Sequence, residues 1–263
     1  MIIKAKKSLG QNFLIDENII NTIIDSVDIK GKSVLEIGPG TGNLTKKILT
    51  KNVKKLLVIE KDNRLANLLN DTLGSKIKLF NEDVLKINEN NLDEDTLTVF
   101  GNLPYNISTE ILCNWILNIK DKNFWFNALV LMFQKEVADR IIAKFNTKNY
   151  GRLSILSNWK LNIKKICDVK PSSFSPKPKI DSTLLLLKPK LDFFPLANPK
   201  ILEKLTRTFF MHRRKMLKKP YNQLFNGNLE VANRLKINLN QRPQNLNFET
   251  NYKLSEEYEI LRS

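Results

Sequence analysis

The chain has 263 residues, 42% of them hydrophobic, which allows a sizeable core and excludes a disordered or fibrous protein. Its 43 Lys and Arg stand against 27 Asp and Glu, and the resulting charge of +16 makes a polyanion, nucleic acid first, the partner to expect. Two distant cysteines, Cys113 and Cys167, exclude a disulfide framework, and the longest apolar run, residues 128–133, is far too short to cross a bilayer.

Asp16 can cap a helix that carries Ile19, Ile20, Ile23, Ile24 and Val27 on one face. From residue 33 onward strands and helices alternate. Strands are predicted at 33–37, 56–60, 77–80, 96–100 and 126–133, and helices at 42–50, 63–73, 107–117, 134–145 and 153–160. The nearly all-apolar strand 126–133 suits the centre of a parallel sheet covered on both faces. Two further strands, 162–169 and 182–188, have no long helix between them and are expected to pair antiparallel at the sheet edge. The pattern predicts a doubly wound, mostly parallel seven-stranded α/β sheet. After Lys190 the chain turns helical and more basic, with 15 Lys and Arg against 7 Asp and Glu over residues 188–263. The expected domains are residues 1–190 and a small helical domain, 191–263.

The segment VLEIGPGTGNLT, 34–45, runs from a strand through glycines into a helix, which lets backbone approach a ligand closely. Gly38, Gly40 and Gly42 give G-x-G-x-G, and Asn43 stands where a dinucleotide fingerprint requires its third glycine, so a nicotinamide oxidoreductase fits poorly. Glu36 can accept hydrogen bonds from the loop's own amides or, through water, from a cationic amino-acid ligand. Glu60 and Asp83 end the next two strands, where carboxylates can take the hydroxyls of a ribose and the amino group of an adenine. An adenosine-like ligand is implied. On the same edge, Asn102-Leu103-Pro104-Tyr105 leaves the fourth strand. An exocyclic amine is a poor nucleophile until acceptors hold its hydrogens. The Asn102 side-chain oxygen and the Leu103 carbonyl can each accept one N–H, Pro104 fixes the turn, and Tyr105 can stack on a base.

With KKSLGQNFL upstream and PSSFSPKPKIDS downstream, these motifs resemble the S-adenosylmethionine-dependent rRNA adenine dimethyltransferases, and within them the bacterial small-subunit enzymes whose loss gives kasugamycin resistance. The resemblance runs in order from Lys6 to about Lys219. It implies a class I methyltransferase (Rossmann-like) sheet and dimethylation of adenine N6 on two adjacent adenines near the 3′ end of 16S rRNA. The implied partner is an immature 30S subunit, and the protein is expected to be a cytoplasmic monomer with neither metal nor membrane. Asn12, Leu14, Gly38, Glu60, Asp83 and Asn102 match donor-binding positions, and Asn102, Leu103, Pro104, Tyr105 and Phe174 match catalytic ones, with Phe174 closing on a flipped adenine opposite Tyr105. The alternatives are a large-subunit enzyme of the macrolide-resistance type, disfavoured by Leu103 and Pro39, and a non-catalytic ribosome-assembly factor. Residues 207–219, with six Lys and Arg and no acid, are expected to form one helix, apolar through Phe209, Phe210, Met211 and Met216 and basic toward phosphates. His212, the single histidine, lies there and not in the site.

Overall fold

A computed structural model describes residues 4–119 and 122–262. The chain forms two compact units, the first from Met1–Ile111, Ile119–Ala138 and Asn162–Pro189, the second from Leu112–Asn118, Asp139–Leu161 and Lys190–Ser263. In chain order the elements are β1 (Phe13–Leu14), α1 (Glu17–Asp25), β2 (Ser33–Ile37), α2 (Asn43–Leu49), β3 (Lys55–Ile59), α3 (Asn63–Leu73), β4 (Lys78–Phe80), β5 (Leu97–Asn102), α4 (Ser108–Asn118), β6 (Phe126–Gln134), α5 (Lys135–Ile141), α6 (Arg152–Lys160), β7 (Leu161–Val169), β8 (Phe174–Ser175) and β9 (Ser182–Pro189). Four more helices follow, α7 (Pro199–Met211), α8 (Lys218–Phe225), α9 (Glu230–Arg234) and α10 (Phe248–Ile260).

The first unit is built on a seven-stranded sheet of order β4-β3-β2-β5-β6-β9-β7. The pairs β3–β4, β2–β3, β2–β5 and β5–β6 are parallel, whereas β9 runs antiparallel to β6. The last two strands lie side by side at the edge, with β9 on the inner side. Every residue of β2 is buried, and so are Ala128 to Phe133 of β6, which accounts for their near-continuous apolar sequence. Helix α1 turns Ile20, Ile23 and Ile24 into this core. Its Asp16 cap accepts N–H bonds from Asn18 and Ile19, a contribution of ~1 kcal/mol. The strand order reverses between β2 and β5, the place where sheets of this kind open a ligand crevice at their carboxyl ends.

A second sheet has two strands only. Phe13 of β1 pairs with Ser175 of β8, and Leu14 with Phe174. The Ser173 hydroxyl donates to Asp16 at 2.8 Å, and the Ile15 N–H to the Ser173 carbonyl at 2.9 Å. The two sequence motifs QNFL and SSFSP are thus one structural ribbon.

In the second unit α7 buries Leu202, Leu205, Thr206 and Phe209, and Tyr221 stacks on Phe225 with ring centroids 4.5 Å apart. The basic stretch 207–219 is not one helix. Helix α7 ends at Met211, and the chain is redirected where the N–H groups of Leu217 and Lys218 donate to the carbonyls of Gln241 and Leu239. Phe209 is buried and Phe210 packs on Tyr150, but Met211 and Met216 are exposed.

Candidate active site

A cleft of about 200 Å³ opens at the carboxyl ends of β2, β3 and β5. The loop after β2 forms its floor, with Gly38 at φ +65° and Gly40 at φ +59°. A side chain at Gly40 would come within 2.7 Å of the Phe13 ring, so the glycine is required by the arm lying across it. Asn43, one residue after the last glycine, donates its side-chain N–H to the Leu14 carbonyl at 2.8 Å. The residue that replaces a third fingerprint glycine therefore ties β1 to the loop.

Glu60, just past β3, is buried. Its Oε1 accepts the Asp62 N–H at 2.8 Å and its Oε2 the Gly40 N–H at 3.3 Å. Each oxygen keeps a lone pair for a ligand hydroxyl. Burial pushes the Glu60 carboxyl up, and the two amides oppose that rise. Asp83 is held below the ordinary carboxylate range by the Lys61 ammonium 2.7 Å away, and its other oxygen accepts the Leu85 N–H. Asn102 ends β5, and its Nδ2 donates to the Asn12 carbonyl at 2.8 Å. That bond occupies one N–H of the amide and leaves Oδ1 free to accept. The Asn-Leu-Pro-Tyr turn is closed by Ile107 N–H donating to the Pro104 carbonyl and the Ser108 hydroxyl to the Tyr105 carbonyl. Neither bond uses the Leu103 carbonyl. The Tyr105 hydroxyl is 2.6 Å from Ser182 Oγ, which holds the half-buried ring, and burial raises its pKa.

Asn12, Gly38, Glu60, Asp83, Asn102, Leu103, Pro104 and Tyr105 all line the cleft. Leu14 and Phe174 do not. Both are buried in the apolar core of this unit, paired across the β1–β8 ribbon, because an aromatic ring and a leucine gain more by packing on each other than by facing water. Glu36 is also absent from the cleft lining and lies behind it.

Gln11, which the KKSLGQNFL motif carries without a role of its own, lines the cleft and is held by Asp62 just outside that lining. Gln11 Nε2 donates to Asp62 Oδ2 at 3.0 Å, Lys6 lies 3.5 Å from Oδ1, and Arg64 takes both oxygens at 3.1 and 2.6 Å. The Asp62 carboxylate, 1% exposed, is held far below its usual range, chiefly by Arg64. Its place as the cap of the predicted helix 63–73 is the signal of it in the sequence. Among the described residues no group of three His, Cys, Asp or Glu is arranged to hold a metal ion, and no helix is long and apolar enough to cross a membrane.

The floor of glycines, the buried acid at the β3 end and the second acid after β4 fit an adenosine-containing donor, and the sheet order with its cleft at the reversal defines a class I methyltransferase fold. A family model described as ribosomal RNA adenine dimethylase matches residues 2–259. A protein named ribosomal RNA small subunit methyltransferase A from Pelagibacter ubique (strain HTCC1062) is 63% identical over 262 residues, 100% of both chains. One of the same name from Wolbachia sp. subsp. Drosophila simulans (strain wRi) is 42% identical over 253 residues, 94% of this chain and 91% of the relative. The crystal structure of a dimethyladenosine transferase from Plasmodium falciparum superimposes with a TM-score of 0.79 at 30% identity, covering 94% of this chain and 98% of its own. The 23S rRNA methyltransferase ErmE, 21% identical with a TM-score of 0.67 over 94% of this chain and 100% of its own, shares the fold. The chain belongs to the ribosomal RNA adenine dimethylase family, and it is an rRNA adenine dimethyltransferase.

Proposed function

We propose that the protein uses S-adenosylmethionine to dimethylate N6 of two adjacent adenines near the 3′ end of small-subunit rRNA, acting in the cytoplasm as a monomer on an immature 30S subunit. The small-subunit assignment is supported by the names of its relatives at 63% and 42% identity. The observation that carries the chemistry is the orientation of Asn102, whose Nδ2 is taken by the Asn12 carbonyl while the side chain lines the cleft.

An adenine amine has its lone pair drawn into the ring. With Asn102 Oδ1 and the Leu103 carbonyl each accepting one of its hydrogens, the nitrogen can pyramidalise and direct that pair at an electrophile. Acceptors suffice for this, and no strong base is needed. When bound, the donor supplies a methyl group on a positively charged sulfur. Glu60 would hold its ribose, Asp83 its adenine amino group, and Gly38 and Asn12 its amino-acid end, so that positioning provides most of the acceleration. Pro104 keeps the Leu103 carbonyl turned outward and Tyr105 offers a ring face to the target base. Leu14 and Phe174 act from behind, as the packed ribbon that sets the Asn12 carbonyl in place. Residues 1–190 would carry this chemistry and residues 191–263 contacts to RNA, with no metal taking part.

Incubation with methyl-labelled donor and immature 30S subunits, read out by position, tests the proposal. Label in N6 of two neighbouring adenines near the rRNA 3′ end is expected, and label confined to large-subunit RNA would sink it.

A further inference from the structure

Glu36 is the one acid of the glycine-loop motif that the chemistry above leaves without a task. It is 2% exposed, and its Oε2 finds no hydrogen-bond partner among the described residues. A buried, unpartnered carboxyl oxygen costs several kcal/mol or more unless something answers it, and a strand position tolerates that only where it serves a purpose.

The surroundings identify the purpose. Glu36 faces a small cavity of about 20 Å³ that is otherwise walled by Leu14, Ile23, Leu44, Val130, Met132 and Leu184, together with Gly101 and Asn102. That volume accommodates the centre of one water and nothing larger. In the parallel register Glu36 lies opposite Phe100, so Asn102, two residues further along β5, projects from the same face of the sheet. Glu36 and Asn102 are thus the two polar side chains lining an otherwise apolar chamber. The fully buried Thr45 hydroxyl makes no close hydrogen bond among the described residues, yet it interacts weakly with the Glu36 carboxyl and draws its pKa down against the larger rise from burial, which leaves room for a stronger partner.

We propose that Glu36 is a positioning residue for Asn102, acting through one water held in this cavity between its Oε2 and the Asn102 amide. The Asn12 carbonyl occupies one N–H of Asn102. The water takes the second, so both donors of the amide point away from the cleft and its oxygen points in, which is the only orientation that accepts from a substrate amine. A single bond to Asn12 leaves the amide free to swing about it; two bonds in different directions do not. The inference rests on the acceptor role proposed for Asn102. It also separates Glu36 from donor binding, since the acid faces the chamber behind the cleft and is not part of the cleft lining.

The test uses the full-length protein with immature 30S subunits, and measures kcat at saturating donor alongside the Kd for S-adenosylmethionine. Glu36→Leu fills the chamber with carbon and removes the water's anchor. Its kcat is expected to fall by about 10- to 100-fold, as slight misplacement of a reacting group does, with donor Kd within about twofold of the parent. Glu36→Gln keeps an oxygen for the water and is expected to retain kcat within about threefold, a rescue that a purely space-filling role would not show. Circular dichroism of both variants establishes that they are folded. A Glu36→Leu enzyme with weakened donor binding and intact kcat would overturn the proposal, as would Glu36→Gln falling as far as Glu36→Leu. Asn102→Ala, run beside them, distinguishes the two levels. If it turns over normally the acceptor role itself fails, whereas an inactive Asn102→Ala with a fully active Glu36→Leu overturns the water link alone.

Discussion

Four carboxylates lie within the same few strand ends, and their surroundings divide them sharply. Asp62 and Asp83 are held ionised by Arg64 and Lys61, which suits an anchor and an acceptor. Glu60 is buried but has two amides to stabilise its charge. Glu36 has neither, and burial, aided by the nearby Glu60 charge, pushes its carboxyl from 4.5 up to about 8, against the pull of Thr45. Between these values the folded protein holds a proton that the unfolded chain has released, so this group's stabilising proton is fully in place below about pH 4.5 and its benefit is lost as pH rises through about 8. Glu36→Gln carries no such proton. Its unfolding free energy relative to the parent should therefore improve with pH across that window, by up to ~1.4 kcal/mol per pH unit. Urea denaturation at several pH values from 5 to about 8.5 measures the difference. Curves that stay parallel would mean that the carboxyl is ionised in the native protein and reaches water.

At the scale of elements, the N-terminal arm is held by side chains and not by a long strand. Phe13 lies over Gly40, Asn43 holds the Leu14 carbonyl, and Gln11 and Lys6 converge on Asp62. Asp62 also caps α3 by accepting the Arg64 N–H. Asp62→Ala should release residues 6–12 from the cleft edge. Hydrogen exchange of those amides is expected to speed up while β2 and β5 stay protected, with the Kd for S-adenosylmethionine rising about tenfold, the loss of a charged hydrogen bond or two. Unchanged exchange in the arm would assign its order to the β1–β8 ribbon alone. The same elements show what local sequence can and cannot reveal. Strands β2, β3 and β5 are legible because their apolar runs end at a glycine or an acid, β6 because its run is almost wholly apolar, and Glu60 and Asp83 because each follows a strand. The ribbon is not, since each of its strands has two residues and its partners include Asp16 and Ser173, 157 positions apart. Period and propensity carry no information over that distance. For the same reason the expectation that Phe174 closes on a base does not anticipate its burial, which follows from pairing with Leu14. The break between α7 and α8 is hidden because the stretch 207–219 holds no Gly or Pro that would signal a helix stop. Tertiary bonds to Leu239 and Gln241, invisible locally, decide it.

For the whole molecule the governing quantity is the charge of +16, which draws any RNA toward the protein but selects none. Selectivity of effect comes from which cations are free to meet phosphate. In the segment between α7 and α8, Arg213 is turned inward, its guanidinium donating to the carbonyls of Lys148 and Tyr150. Arg214 and Lys215 are exposed beside it. Substituting both by Glu should therefore leave the fold intact and weaken binding to immature 30S subunits, most strongly at low salt. Each phosphate deprived of its cation should lower the slope of log K against log salt by about 0.7 to 0.9. Arg213→Glu should behave differently, because it places an acid against two carbonyls that now accept from a cation. A lower melting temperature is expected there, with weaker RNA affinity following from disturbance of the turn. Filter binding across a salt series, with thermal melts of the same preparations, separates the two effects. Affinity and slope unchanged in the Arg214 and Lys215 double variant would show that these cations are simply solvated, and the search for the phosphate-binding face would pass to Lys218 and Lys219 at the start of α8, which are also exposed.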